Sequence, residues 1–112
     1  MAGNQPPKVQ ILKGASPDLS AATFQIWDET HTIGNALRWM IMKNPKVEFC
    51  GYSAPHPSEN VINVRIQMYD GLSSVTALLT ALADLDALCE VIDNEYDKSF
   101  RSGDYEQWHE KS

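Results

Sequence analysis

The chain has 112 residues, 43% hydrophobic and 21% charged, with a net charge of −6, a size and composition that fit one small soluble domain. Residues 1–83 are balanced, with six acids and six bases, and residues 84–112 carry the whole excess, with nine acids and three bases. A phosphate-binding surface needs the opposite sign, so little or no direct nucleic-acid contact is expected, and no apolar run approaches the roughly 20 residues of a membrane span.

Met1 to Pro7 is polar and contains two prolines; it is expected to be disordered. It lacks the basic-then-apolar layout of a signal peptide. Val9 to Leu12 predicts a short strand, and Gly14 to Ser20, with Pro17 and Asp18, a turn. Ala22, Phe24 and Ile26 then alternate with Thr23, Gln25 and Trp27, the period of a half-buried strand. A helix follows, capped by the hydroxyl of Thr30 or Thr32. Ile33, Ala36, Leu37, Met40 and Ile41 fall at i, i+3, i+4, i+7 and i+8, one apolar stripe. Lys43 complements the helix dipole in the last turn, and Pro45 stops the helix.

Lys46 to Tyr52 reads as a strand with Val47 and Phe49 on one side. Ala54 to Asn60 is a polar loop whose prolines, Pro55 and Pro57, deny it ladder hydrogen bonds. The clearest alternation comes next: Ile62, Val64, Ile66 and Met68 face one way, and Asn63, Arg65 and Gln67 the other. Asp70-Gly71 closes that strand.

From Ser73, itself or Ser74 the cap, the chain is expected to stay helical to about Phe100. No Gly or Pro interrupts this stretch, and at ~1.5 Å per residue it runs roughly 42 Å. A domain of about 100 residues has a radius of gyration of only ~13 Å, so the helix should reach beyond its own domain. Val75, Leu82, Cys89 and Tyr96 form one heptad row and Leu78, Leu85 and Ile92 the other, with Leu79 and Leu88 widening the seam. Two such rows call for a second helix; the competing arrangement packs the whole helix on its own sheet. The order strand, strand, helix, strand, strand, long helix predicts an α+β fold, a mainly antiparallel sheet with two helices on one face. After Ser102-Gly103 the chain becomes a polar, acidic tail whose Tyr105 and Trp108 either dock on a neighbour or belong to a frayed end.

Nothing points to chemistry. His31, His56 and His109 lie far apart, and no spacing suits zinc. Cys50 and Cys89 are too few for a disulfide framework and suit a reducing compartment. Phosphate-cradling and nucleophile-elbow glycine motifs are absent. Asp84 and Asp86 read as solvated helix-face carboxylates. No catalytic, cofactor-binding or metal-binding residue is assigned.

Two stretches carry a family resemblance. One is His31-Thr32-Ile33-Gly34-Asn35-Ala36-Leu37-Arg38. The other is Asn44-Pro45-Lys46-Val47-Glu48-Phe49-Cys50-Gly51-Tyr52, followed by Pro55-His56-Pro57 and by Ile62-Asn63-Val64-Arg65-Ile66-Gln67. Together they resemble the small α-like subunits of archaeal and eukaryotic RNA polymerases over about residues 8–100. Gly34 to Arg38 also looks like the matching helix of the bacterial α subunit's N-terminal domain. Met40 to Pro45 and Glu48 to Tyr52 look most like the members common to polymerases I and III.

The resemblance implies a non-catalytic assembly subunit whose long helix is used for dimerisation. Its obligate partner would be the larger α-like subunit shared by polymerases I and III. The pair would be the platform for the second-largest and largest subunits, in the nucleus including the nucleolus, supporting rRNA, 5S rRNA and tRNA transcription. Residues 1–7 are then a disordered N-terminus, 8–100 the dimerisation domain and 101–112 the acidic tail. The partner interface is expected at Ile33, Leu37, Met40, Ile41, Val75, Leu78, Leu82, Leu85, Cys89, Ile92 and Tyr96. Gly34, Asn35 and Arg38 are expected to meet a large subunit. Gly34 costs about 1 kcal/mol in a helix relative to Ala, which suggests close approach of another backbone, or simple tolerance in a first turn. The alternatives are the same role in polymerase II or an archaeal polymerase, and a free homodimeric regulatory module.

Overall fold

A computed structural model describes residues 7–103. The elements run β1 (Val9–Ile11), β2 (Ala21–Trp27), α1 (His31–Met42), β3 (Val47–Ser53), β4 (Val61–Met68) and α2 (Ser74–Ser102). The strands form one sheet in the order β1-β2-β4-β3, and every neighbouring pair is antiparallel. The expected α+β layout is the one observed. The expectations for Met1 to Gln5 and Pro6, and for Tyr105, Trp108 and His109, lie outside the described residues.

The two alternating sequences became the central pair. Ala22 faces Ile66, Phe24 faces Val64 and Ile26 faces Ile62, so one period-two row from each strand shares a side of the sheet. That side is the core. It also takes Val47 and Cys50 from β3, Leu37 and Ile41 from α1, and Ala77, Leu78 and Ala81 from α2. Both helices therefore lie on one face. Each large apolar side chain buried this way contributes about 1.5–3 kcal/mol, an upper estimate given residual burial in the unfolded chain.

Phe49 departs from its expected place. A bulge between Val47 and Phe49 breaks the register, and the extra residue turns Phe49 to the opposite side from Val47. Val47 is buried, whereas Phe49 is exposed on the helix-free side.

Neither helix start uses the expected hydroxyl cap. Thr30 and Ser73 are the N-cap residues, but neither side chain bonds the first turn. Ser74 instead staples the start of α2 to the turn before β2. Its backbone N–H and hydroxyl both donate to the Leu19 carbonyl, at 2.8 and 2.6 Å. That turn is itself tied by Asp18, whose carboxylate accepts from the Ser20 N–H and from the Ser16 and Ser20 hydroxyls. Those donors hold the Asp18 carboxyl below the usual carboxylate range. Lys43 is the C-cap residue of α1, and its ammonium sits 3.8 Å above the Trp39 ring.

α2 has 29 residues and ends at Ser102, with Gly103 left-handed after it (φ 69°), two residues beyond the expected stop at Phe100. Only its first turns are anchored: Ser74, Ala77, Leu78 and Ala81 are its buried residues. The remainder projects, giving a radius of gyration of 18.4 Å and a longest dimension of 59 Å, against ~13 Å expected for the radius of a compact domain of this length.

Candidate assembly interface

The projecting part of α2 keeps its apolar rows. Past Ala81, Leu85 and Leu88 are half-buried, and Leu82, Ile92 and Tyr96 are 39%, 58% and 71% exposed. Cys89 is exposed on the same seam, and Leu79 flanks it in the open. Phe100 extends it one turn further, stacked on Tyr96 with ring centroids 6.3 Å apart. Its i+4 spacing from Tyr96 was the signal that could have placed it in the interface set. Contiguous apolar surface of this kind is rare on monomers.

Three expected interface residues are spent elsewhere. Leu37, Ile41 and Leu78 are buried in the chain's own core; they support the surface from below and present none of it. Ile33, Met40 and Val75 are half-buried. Periodicity marks which side of the helix is apolar but cannot divide that side between the chain's own sheet and a partner. Asp84 and Asp86 are exposed, as expected, and Asp84 lines a groove with Lys43 and Asn44 from the end of α1.

A second surface runs along the outside of α1. His31, Asn35, Arg38 and Met42 recur at i, i+4, i+7 and i+11, all exposed, with Trp39 beside them. They form a ridge that flanks the side buried by Leu37 and Ile41; at 3.6 residues per turn Arg38 lies about 60° around from Ile41 and about 100° from Leu37. Arg38 makes no ion pair or hydrogen bond among the described residues. Its charge is felt at Cys50. Burial pushes that thiol up to about 11, and the Arg38 cation pulls the other way.

Gly34 does not belong to this ridge. It is buried, and a Cβ there would stand 2.6 Å from the Tyr52 ring. The close approach inferred from its helix cost is to a side chain of β3, not to another backbone or a large subunit. The Tyr52 hydroxyl in turn meets His31 Nδ1 at 2.8 Å. Gly34→Ala should therefore destabilise the chain by about 1–3 kcal/mol through overpacking, with the His31 contact displaced. In a Tyr52→Ala background the same change should stabilise by up to about 1 kcal/mol, because only helix propensity remains. Paired chemical denaturation curves of the heterodimer would read this reversal of sign.

The two cysteines give a labelling contrast. Cys50 is buried with a raised thiol pKa, and Cys89 is exposed. At pH 8, iodoacetamide should modify Cys89 and spare Cys50 in the folded chain, because the thiolate is the nucleophile. Bound partner should protect Cys89 as well. Peptide mass spectrometry before and after complex formation is the measurement.

Among the described residues no group of His, Cys, Asp or Glu side chains could hold a metal ion, and no helix is long and apolar enough to cross a membrane.

A family model described as the RNA polymerase Rpb3/Rpb11 dimerisation domain matches residues 21–95. The chain is 52% identical over 96 residues to DNA-directed RNA polymerases I and III subunit RPAC2 of Saccharomyces cerevisiae, covering 85% of this chain and 68% of that protein. It is 52% identical over 89 residues to the protein of the same name from Schizosaccharomyces pombe, covering 80% and 71%. Among solved structures, DNA-directed RNA polymerase subunit L of Thermoplasma acidophilum superposes with a TM-score of 0.69. That match covers 88% of this chain and 96% of the archaeal one, at 17% identity, a likeness of fold.

Proposed function

The chain belongs to the RNA polymerase Rpb3/Rpb11 dimerisation-domain family, and from that premise we propose how it works. It is a non-catalytic assembly subunit of DNA-directed RNA polymerases I and III, and it pairs with the larger α-like subunit. The observation that carries this reading is the apolar seam of α2 beyond Ala81, which the chain's own sheet leaves uncovered. The partner would bury Leu82, Leu85, Leu88, Cys89, Ile92 and Tyr96, with Ile33, Met40 and Val75 at the margin.

The resulting pair is the platform for the two large subunits, and the exposed α1 ridge of Asn35 and Arg38 is its contact with one of them. The active site belongs to those subunits. The chain's work is transcription in the nucleus; the finer reading includes the nucleolus and the synthesis of rRNA, 5S rRNA and tRNA. Residues 8–100 act as the dimerisation domain, and 101–112 as an acidic tail.

Co-expression tests the pairing. Alone, the chain should aggregate or self-associate, because its seam lies open. Co-expressed with the larger α-like subunit it should elute as a soluble one-to-one complex. A sharply melting, monomeric isolated chain would count against an obligate partner.

A further inference from the structure

The helix-free face of the sheet is chemically unlike the rest of this acidic chain. Its rows are Gln10 on β1, Ala21, Thr23, Gln25 and Trp27 on β2, Val61, Asn63, Arg65 and Gln67 on β4, and Phe49, Gly51 and Ser53 on β3. None of these register-paired residues is an acid, although the whole sequence carries 15 Asp and Glu; the exposed Glu48 sits in the bulge beside Phe49. The charge within the paired rows is Arg65. Of the guanidinium's five donors, Nη1 gives one hydrogen bond, to the Thr23 hydroxyl at 3.3 Å. No carboxylate pairs with it among the described residues.

Arg65 borders a shallow dish of about 360 Å³ with Thr23, Phe49, Gly51, Tyr52 and Asn63. The Phe49 ring, brought to this side by the bulge, covers Gly51 so closely that a Cβ there would meet it at 2.9 Å, yet Phe49 stays 48% exposed. On the same face, Trp27 Nε1 and Asn63 Oδ1 are closed off without a hydrogen-bond partner; Asn63 lines the dish, and Trp27 lies four residues along β2 from Thr23.

We propose that this face is a second docking surface, which takes a polypeptide segment of another polymerase subunit presenting an Asp or Glu to Arg65 and an apolar side chain to Phe49. A half-buried, planar guanidinium with free donors is matched by a carboxylate, which it holds bidentately. The aromatic ring beside it gives the segment an apolar anchor, as at the centre of many protein interfaces. A phosphate backbone is disfavoured, because one arginine among neutral residues in an acidic chain supplies too little charge. The inference rests on membership of the polymerase, since the enzyme supplies the segment. It concerns the side of the sheet opposite both helices and is independent of the α2 seam.

The test places the photo-crosslinker p-benzoylphenylalanine at position 49 of the full chain, in its heterodimer and in reconstituted polymerase. The expected result is a crosslink to a subunit peptide containing Asp or Glu. Arg65→Glu should cut its yield at least tenfold, and Asp→Lys or Glu→Lys in the captured peptide should restore it. Arg65→Gln, which keeps length and polarity, should also reduce the yield while the melting temperature stays within a degree or two. Size exclusion of the same samples reports the heterodimer separately, so failure of this surface and failure of the subunit reading give different patterns. No crosslink from an intact enzyme, a crosslink to nucleic acid or to a peptide without an acid, or a yield indifferent to Arg65→Glu would each overturn the proposal.

Discussion

Leu85→Asp is expected to abolish the heterodimer with the larger α-like subunit while α2 itself stays folded. Leu85 is half-buried in the free chain, on the seam just past Ala81, where the helix leaves its own core. Pairing would complete its burial. A carboxylate there would be shut away without a partner, a loss of about 3–5 kcal/mol, or roughly a hundred- to several-thousand-fold in affinity. Leu82→Asp should act in the same direction, because Leu82 is 39% exposed in the free chain and belongs to the same set the partner would bury. Ala87→Asp is the matched control. It introduces the same group on the same helix, but about 200° around from Leu85 at 3.6 residues per turn, at an exposed position. Circular dichroism should show equal helicity in all three variants. A pull-down of co-expressed partner should then lose Leu85→Asp and retain Ala87→Asp. Equal behaviour of the two would mean that the partner meets a different face of α2.

The contrast between Leu85 and Leu78 shows how far sequence reasoning reached. Both stand in one heptad row, seven residues apart, yet Leu78 is buried in the chain's own core and Leu85 is left at the surface. Periodicity reports which side of a helix is apolar; it holds no information on where the sheet beneath runs out. The same holds for Leu37 and Ile41, which periodicity puts on the interface side and the sheet buries in the chain's own core. The sheet's central pair was legible because Phe24, Ile26, Ile62, Val64 and Ile66 keep a strict period of two. Phe49 was not, since one extra residue in the bulge reverses the side of everything after it. The Gly34–Tyr52 contact joins α1 to β3 across the fold; the glycine's cost was visible in the sequence, but its beneficiary was a matter of tertiary packing. The stripe on α1 could be drawn from the sequence, and it left Arg38 outside. That exclusion is what makes Arg38 a usable probe of the next assembly step.

Arg38→Ala should separate that step from pairing. Arg38 is exposed, has no ion pair or hydrogen bond among the described residues, and lies off the side of α1 that Leu37 and Ile41 bury. Removing it opens no cavity, so the fold and the α-like heterodimer should survive. Removing a hydrogen-bonded charge from a subunit interface costs about 2–5 kcal/mol, or roughly thirty- to several-thousand-fold in affinity. The second-largest subunit is the expected casualty. Native gels and size exclusion of reconstituted mixtures should show an intact heterodimer that binds this subunit weakly or not at all. Arg38→Lys should recover only part of the binding, because an ammonium keeps the charge but loses the bidentate fork. The Cys50 labelling rate provides an internal control. With the Arg38 cation gone, burial is left unopposed as the dominant influence on that thiol, so Cys50 should stay protected in Arg38→Ala. A Cys50 that becomes reactive would signal damage to the packing of α1 on β3 and make the assembly defect indirect. Full recruitment by a well-folded Arg38→Ala heterodimer would remove Arg38 from the interface and leave it an ordinary surface arginine.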